Sequence, residues 1–201
     1  AKNILANNPS ATIIADVKAS DQLFLAIKNA GGNAVMCKTG HSFIKAKMQE
    51  TKALLAGEMS GHIFFADKYY GFDDALYASI RLLNIVSNSN ISLAEKLQQL
   101  PISYSTPEIR LETSEEYKFA IVQFLQDKLT TSRQNFNNID GIRVSNNNGW
   151  WLLRASNTQP VLVARCEGNS TESLQLLKNE LKQYLQSLPP HFGFNIPPEL
   201  N

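Results

Sequence analysis

Short apolar runs alternate with segments of helical period through the first hundred residues. ATIIADV and NAVMCK read as strands, and SDQLFLAIKNAG between them carries apolar residues at helical spacing behind a cap-type Ser20 and ends at a glycine. That is a βαβ unit. The pattern continues with a helix from His41 to Lys52, an apolar strand ALLAGE, the loop MSGH and a strand HIFFADKYY. A helix DDALYASIRLLNIVSNSN follows, its acidic first turn suited to the helix dipole. Alternation of this kind predicts a layered α/β domain, a mixed-sheet α/β/α arrangement over residues 1–100. A helical pattern, AKNILANN, opens the chain without an initiator methionine, as expected of a piece of something longer.

LPISYSTPEIRLET, with two prolines and many polar residues, reads as a connector with some extended character, giving a linker over residues 101–111. Over residues 112–201 the order becomes helix, several strands, helix. SEEYKFAIVQFLQDKL is amphipathic, IDGIRV is a short strand, and NNNG is a hairpin-type turn. GWWLLR and PVLVARCEG are strands, and TESLQLLKNELKQYLQSL is a capped closing helix. This order predicts a smaller α+β domain with helices on one face of an antiparallel sheet. The final PPHFGFNIPPELN approaches low complexity.

Composition narrows the class. With 43% hydrophobic residues, 18% charged residues and a formal charge of +1, the chain is an ordinary globular protein with no general attraction to nucleic acid or membrane. Cys37 and Cys166 lie far apart, each inside an apolar run, which favours reduced core thiols over a disulfide scaffold. The longest apolar runs fall short of the roughly 20 residues a membrane span needs, and no signal-peptide pattern opens the chain. A cytoplasmic location is expected.

Three polar clusters carry candidate chemistry. RASNTQP interrupts two strand-like runs with a cation, hydroxyls and amides: Arg154 offers a fork matched to phosphate oxygens, and Ser156, Asn157 and Thr158 add donors to those of a tight backbone turn. The same residues also cap their own backbone in ordinary polar hairpins, and composition leaves both readings open. In LAGEMSGH, Glu58 can accept protons from vicinal sugar hydroxyls, Ser60 stands beside it, and His62 can move a proton at neutral pH. An exposed turn satisfying its own N–H groups is the alternative. Lys18, Lys38 and His41 fall at strand ends, where open α/β sheets bind ligands, although lysines there are commonly only solvated. The pattern offers no metal-ligand set.

TGHSFIKAKMQETKALLAGEMSGHIFF followed by YYGFDDALYASIRLL resembles the third domain of the α-D-phosphohexomutases, and DGIRV…GWWLLRASNTQPVLVARCEG resembles the phosphate-binding loop and flanking strands of their fourth domain. The likeness runs from about Ala1 to Leu188. GEMSG and RASNT, through Met59, Ala155 and Asn157, resemble the phosphomannomutase/phosphoglucomutase branch rather than the phosphoglucosamine mutases, which carry GEQSG-like and RPSGTEP-like loops. Gln159 departs from the glutamate commonest in the wider family.

The resemblance implies that Glu58 and Ser60 bind sugar hydroxyls and that Arg154, Ser156, Asn157 and Thr158 hold the substrate phosphate. It implies further that Lys18 and His41 reach the bound sugar phosphate and that His62 matches a position suspected of proton transfer. The family interconverts hexose 6-phosphates and hexose 1-phosphates of mannose or glucose through a hexose 1,6-bisphosphate, using a phosphoserine in a TASHNP-like loop and Mg²⁺ in a DGDGDR-like loop. Neither loop occurs in this sequence. The expectation is therefore the C-terminal half of a four-domain mutase, partnered by the N-terminal domains and inactive alone. A stand-alone sugar-phosphate binding module and a purely structural α/β protein are the other classes considered.

Overall fold

In the computed structural model, which describes residues 1–200, the chain divides at Pro101 into two units. The first runs α1 (Lys2–Leu5), β1 (Thr12–Asp16), α2 (Asp21–Asn29), β2 (Asn33–Cys37), α3 (His41–Thr51), β3 (Leu55–Gly57), β4 (Ile63–Phe65), β5 (Phe72–Asp73), α4 (Ala75–Ser87) and α5 (Leu93–Gln98). Its strands lie in the order β2-β1-β3-β4-β5. The helical crossovers make β1, β2 and β3 parallel, while β4 and β5 are added antiparallel. The ends of β1, β2, β3 and β5 and the start of β4 consequently share one edge of the sheet.

Alternation along β1 builds the layers. Ile13 packs with Ile27 of α2 and with Ile4 and Leu5 of α1, whereas its neighbour Ile14 packs with Ile44 and Met48 of α3 and with Phe64. The sheet is thus covered on both faces, the mixed α/β/α arrangement expected. Ser20 caps α2 by accepting from Gln22 N at 3.1 Å, and Asp74 caps α4 by accepting from Tyr77 N at 2.9 Å. The strand expected over HIFFADKYY is shorter than its apolar run. Ala66 N and Asp67 N both turn back to the Leu54 carbonyl, and Arg81 clamps the turn through an ion pair of 2.6 Å to Asp67. The opening helix is a single turn, Lys2–Leu5.

The second unit, from Ile102 onward, runs β6 (Tyr104–Ser105), β7 (Ile109–Glu112), α6 (Lys118–Thr131), β8 (Ile142–Asn146), β9 (Gly149–Ala155), β10 (Val161–Gly168) and α7 (Thr171–Gln186), then two 3-10 turns. β10 is central: β9 pairs along one side and β6 and β7 along the other, all antiparallel. Residues 101–111 are therefore not a free linker. They contribute β6 and most of β7, because Ile109 and Leu111 alternate into the core while Arg110 and Glu112 do not.

α6 and α7 cover one face of this sheet. Ile121, Leu125 and Leu129 from α6 and Leu177, Leu181 and Leu185 from α7 share a core with Trp151, Leu153, Ala164 and Cys166. On the other face the guanidinium of Arg143 stacks 3.8 Å over the Trp150 ring, and Trp150 Nε1 donates to Glu167 at 3.2 Å. The β8–β9 turn requires glycine: at Gly149, φ is +133° and a Cβ would come within 2.0 Å of the Glu167 carbonyl. The closing PPHFGFNIPPELN is no low-complexity tail up to residue 200, since Phe192, Phe194 and Ile196 pack on the core and Leu200 is part of it.

Burial in that core pushes the Cys166 thiol up to about 12, so the reactive thiolate is scarce at pH 8. Iodoacetamide at pH 8 is expected to spare Cys166 in the folded chain and to alkylate it in urea. Equal rates in both, followed by peptide mapping, would show that the core is open.

Candidate functional site

In the first unit the shared sheet edge gathers the candidate residues. Asp16, at the end of β1, is fully buried, and both its oxygens serve neighbouring loops: Oδ1 accepts Met59 N at 3.1 Å and Oδ2 accepts the Thr39 hydroxyl at 3.0 Å. It thereby ties the loop after β3 to the loop after β2. Lys18 is buried too, with Nζ 3.9 Å from Asp16 Oδ2, rather than free in solvent. Burial raises the Asp16 pKa above its ordinary 3.8, and the Lys18 charge, Met59 N and Thr39 only partly oppose that.

Glu58 crosses the same gap. Its Oε1 accepts Gly40 N at 2.7 Å, at the head of α3, and its Oε2 accepts the Ser60 hydroxyl at 3.3 Å. The loop closes on itself through Glu58 N to the His62 carbonyl at 2.9 Å and Gly61 N to the Glu58 carbonyl at 3.0 Å. A carboxylate has about four lone-pair sites, so two remain for further donors. His62 Nδ1 lies 2.7 Å from Asp73 Oδ2, and His41 Nε2 lies 3.5 Å from that same oxygen, the two rings packing edge to face at 4.5 Å. Asp73 Oδ1 also accepts Ile63 N at 3.2 Å, which fixes the carboxylate. The structure therefore joins Lys18, His41, Glu58, Ser60 and His62 through Asp16, Glu58 and Asp73.

In the second unit the turn between β9 and β10 spans residues 156–160. Ser156 Oγ accepts Thr158 N at 3.3 Å and Gln159 N at 3.2 Å, so two backbone donors expected to face a ligand are spent inside the turn. The serine hydroxyl proton is left to donate, and Asn157 and Thr158 are exposed. Gln159 is held at two points: Arg110 donates to its side-chain oxygen, and Lys118, only 1% exposed and paired with Glu115 at 2.6 Å, donates to its carbonyl at 3.3 Å. Arg154 is 4% exposed; its Nε donates to Asp140 Oδ2 at 2.8 Å, while its Nη2 is buried with no partner among the described residues. A buried guanidinium with an unused donor is costly unless something occupies it.

Asp16, Asp73 and Asp140 were not among the residues singled out from the sequence. Each lies 11 to 43 residues from a partner it binds, and only the fold brings them together.

Two measurements test these contacts. Because Asp16 has a raised folded-state pKa, its burial favours folding at low pH and costs stability as pH climbs past 3.8. The thermal midpoint of Asp16→Asn relative to the parent should thus rise between pH 4 and pH 7; an unchanging difference would mean that Lys18 and the two hydrogen bonds fully offset the burial. The Asp73 contact fixes the neutral His62 as the Nδ1–H tautomer, the minor form of free imidazole. Nitrogen-15 spectra should show an unprotonated Nε2 in the parent and a return to the common Nε2–H form in Asp73→Ala.

Comparison with known proteins identifies two matches along the chain. Residues 1–104 match the family described as phosphoglucomutase/phosphomannomutase, alpha/beta/alpha domain III, and residues 108–183 match the phosphoglucomutase/phosphomannomutase C-terminal domain. A phosphomannomutase/phosphoglucomutase of Pseudomonas aeruginosa is 46% identical over 196 residues, covering 96% of this chain and 42% of the relative. A solved phosphoglucomutase/phosphomannomutase family protein of Burkholderia thailandensis superposes with a TM-score of 0.86 at 38% identity, covering 97% of this chain and 41% of that one. The N-acetylphosphoglucosamine mutase of Aspergillus fumigatus, solved with GlcNAc-6P and magnesium, shares the fold at 15% identity and a TM-score of 0.63, covering 91% of this chain and 40% of its own. This chain thus spans about two fifths of the length of such relatives.

Proposed function

Because this chain belongs to the phosphoglucomutase/phosphomannomutase family, we propose that the whole protein interconverts hexose 6-phosphate and hexose 1-phosphate through a hexose 1,6-bisphosphate. This chain contributes contacts to the sugar and to its phosphate. The observation that carries the reading is Arg154 Nη2, a buried charged donor without a partner among the described residues, beside an exposed turn of amides and hydroxyls.

Phosphoryl transfer depends on positioning and on neutralising charge at the moving group. In this reading Arg154, Ser156, Asn157 and Thr158 hold the substrate phosphate, and several donors around a dianion suit a phosphate presented by either isomer. The unused lone pairs of Glu58, with Ser60, accept sugar hydroxyls common to glucose and mannose, while Lys18 and His41 serve the sugar phosphate. His62, its Nδ1 held by Asp73, takes the proton of the attacking hydroxyl on Nε2. The phosphoserine donor and the Mg²⁺ loop are assigned to the rest of the protein, so the chain alone binds without turning over. Among the described residues, His41, His62 and Asp73 form a group that could hold a metal, with ligand atoms within 4.8 Å of one another. Two imidazoles and one carboxylate are a poor match for Mg²⁺, which prefers oxygen ligands, and no residue of this chain is assigned to it.

Calorimetric or NMR titration of the chain with glucose 1-phosphate, mannose 1-phosphate and inorganic phosphate tests this. Affinities of order millimolar are expected, since contacts from the rest of the protein are absent. Arg154→Ala should weaken all three by about 1–3 kcal/mol, whereas Glu58→Ala should weaken the sugar phosphates by a similar amount and leave inorganic phosphate unchanged. A parent chain that binds none of them would reject the reading.

A further inference from the structure

Arg154 raises an electrostatic puzzle. The residue best placed to bind a phosphate dianion is already paired with a carboxylate, Asp140, at 2.8 Å, and the pair is almost dry, with side chains 5% and 12% exposed. By charge alone Asp140 should repel the phosphate and cancel the cation that attracts it. A carboxylate that served only the stability of the buried arginine would gain most from two parallel bonds along the Nε–Nη2 edge. Instead Asp140 takes Nε, and Nη2 is left without a partner.

The backbone around Asp140 is arranged to hold it there. Gly141 has φ +82°, and a Cβ on it would lie 2.4 Å from the Leu153 carbonyl and 2.7 Å from the Arg154 Cα, so only glycine lets this turn lie against β9. Gln126 of α6 anchors the turn from the helix side by donating its Nε2 to the Gly141 carbonyl at 2.8 Å. Helix, glycine turn, carboxylate and guanidinium thus form one connected brace, and its free end is the Nη side of Arg154.

We propose that Asp140 is a positioning residue for phosphate binding: by accepting the Arg154 Nε–H it fixes the guanidinium so that its Nη end faces the anion. This rests on the phosphate reading of the RASNTQP turn. An arginine side chain is long and costly to immobilise, and a brace set before the ligand arrives removes that cost from binding. Asp140 also neutralises the buried guanidinium while no ligand is present. Its repulsion of the phosphate is offset by the orientation it imposes.

The test uses inorganic phosphate as the probe and the side-chain nitrogen signals of Arg154 as the readout. In the parent chain, phosphate is expected to shift the Arg154 Nη signals while Nε–H stays in place and protected from exchange. Asp140→Ala should weaken phosphate binding by roughly two- to tenfold, the factor for freezing one long side chain. Asp140→Asn, which keeps an acceptor and drops the charge, should recover the loss. Charge alone gives the opposite order, with alanine and asparagine both tighter than the parent. Should the alanine chain not fold, the parent's Nε signal and the asparagine variant decide. Movement of Nε on adding phosphate, an alanine variant that binds at least as tightly as the parent, or an asparagine variant that binds about twofold or more weakly than the parent overturns the role of Asp140. A parent that ignores phosphate altogether overturns the phosphate reading instead.

Discussion

Where a strand ends, its backbone N–H groups lose their ladder partners and must find another acceptor or stay wet. In both units that demand is met by the polar side chains of the candidate sites themselves. Asp16 takes Met59 N, Glu58 takes Gly40 N, Asp73 takes Ile63 N, and Ser156 takes the N–H groups of Thr158 and Gln159. Glu58 and Ser156, both proposed to meet ligand, order their own loops, while Asp16 and Asp73 order the loops around them, so rigidity and recognition come from neighbouring groups.

Each such side chain is only partly consumed. Glu58 spends two of its lone pairs, Ser156 accepts twice but keeps its hydroxyl proton, His62 commits Nδ1, and Arg154 commits Nε. The division matters energetically. A group already held by one bond loses little further freedom when it makes a second, so ligand contacts come with part of their ordering cost already met by folding. The ordinary explanation of the RASNTQP turn, that its serine caps its own backbone, is thus observed, and it is compatible with binding because the two uses draw on different atoms.

Much of the fold was legible in period and punctuation. β1, α2, β2 and α3 follow from apolar spacing, Ser20 and the Gly31–Gly32 stop, and the β9–β10 pairing from two apolar runs around a polar turn. β5, with two residues, is too short to carry a period. α5 is hard to read from the sequence although Ser92 and Glu95 form a capping box, because the signal lies inside a run of small polar residues. The prolines of 101–111 hid the alternation of Ile109 and Leu111. At the sites, residues inside contiguous motifs could be named from sequence, whereas the aspartates that brace them could not. The pairings His62–Asp73 and Arg154–Asp140 span 11 and 14 positions and depend on which strand ends meet.

Gln159 shows what a single departure from the family pattern does to the electrostatics of the turn. Arg110 donates to its side-chain oxygen and Lys118 to its carbonyl, and each cation also has a carboxylate near it, Glu108 at 4.0 Å from Arg110 and Glu115 at 2.6 Å from Lys118. A glutamate at this position would accept the same bond from Arg110 but add a full negative charge to the turn proposed to receive the phosphate. Two like charges several ångströms apart at a partly exposed site interact by about 1 kcal/mol or more, and the charge of a dianion doubles the effect. The amide keeps the hydrogen bond that shapes the loop and adds no second carboxylate beside Arg110, which already has Glu108 at 4.0 Å. Under the phosphate reading proposed for this turn, the neutral residue therefore keeps the bond that holds the loop without adding a charge that repels the anion.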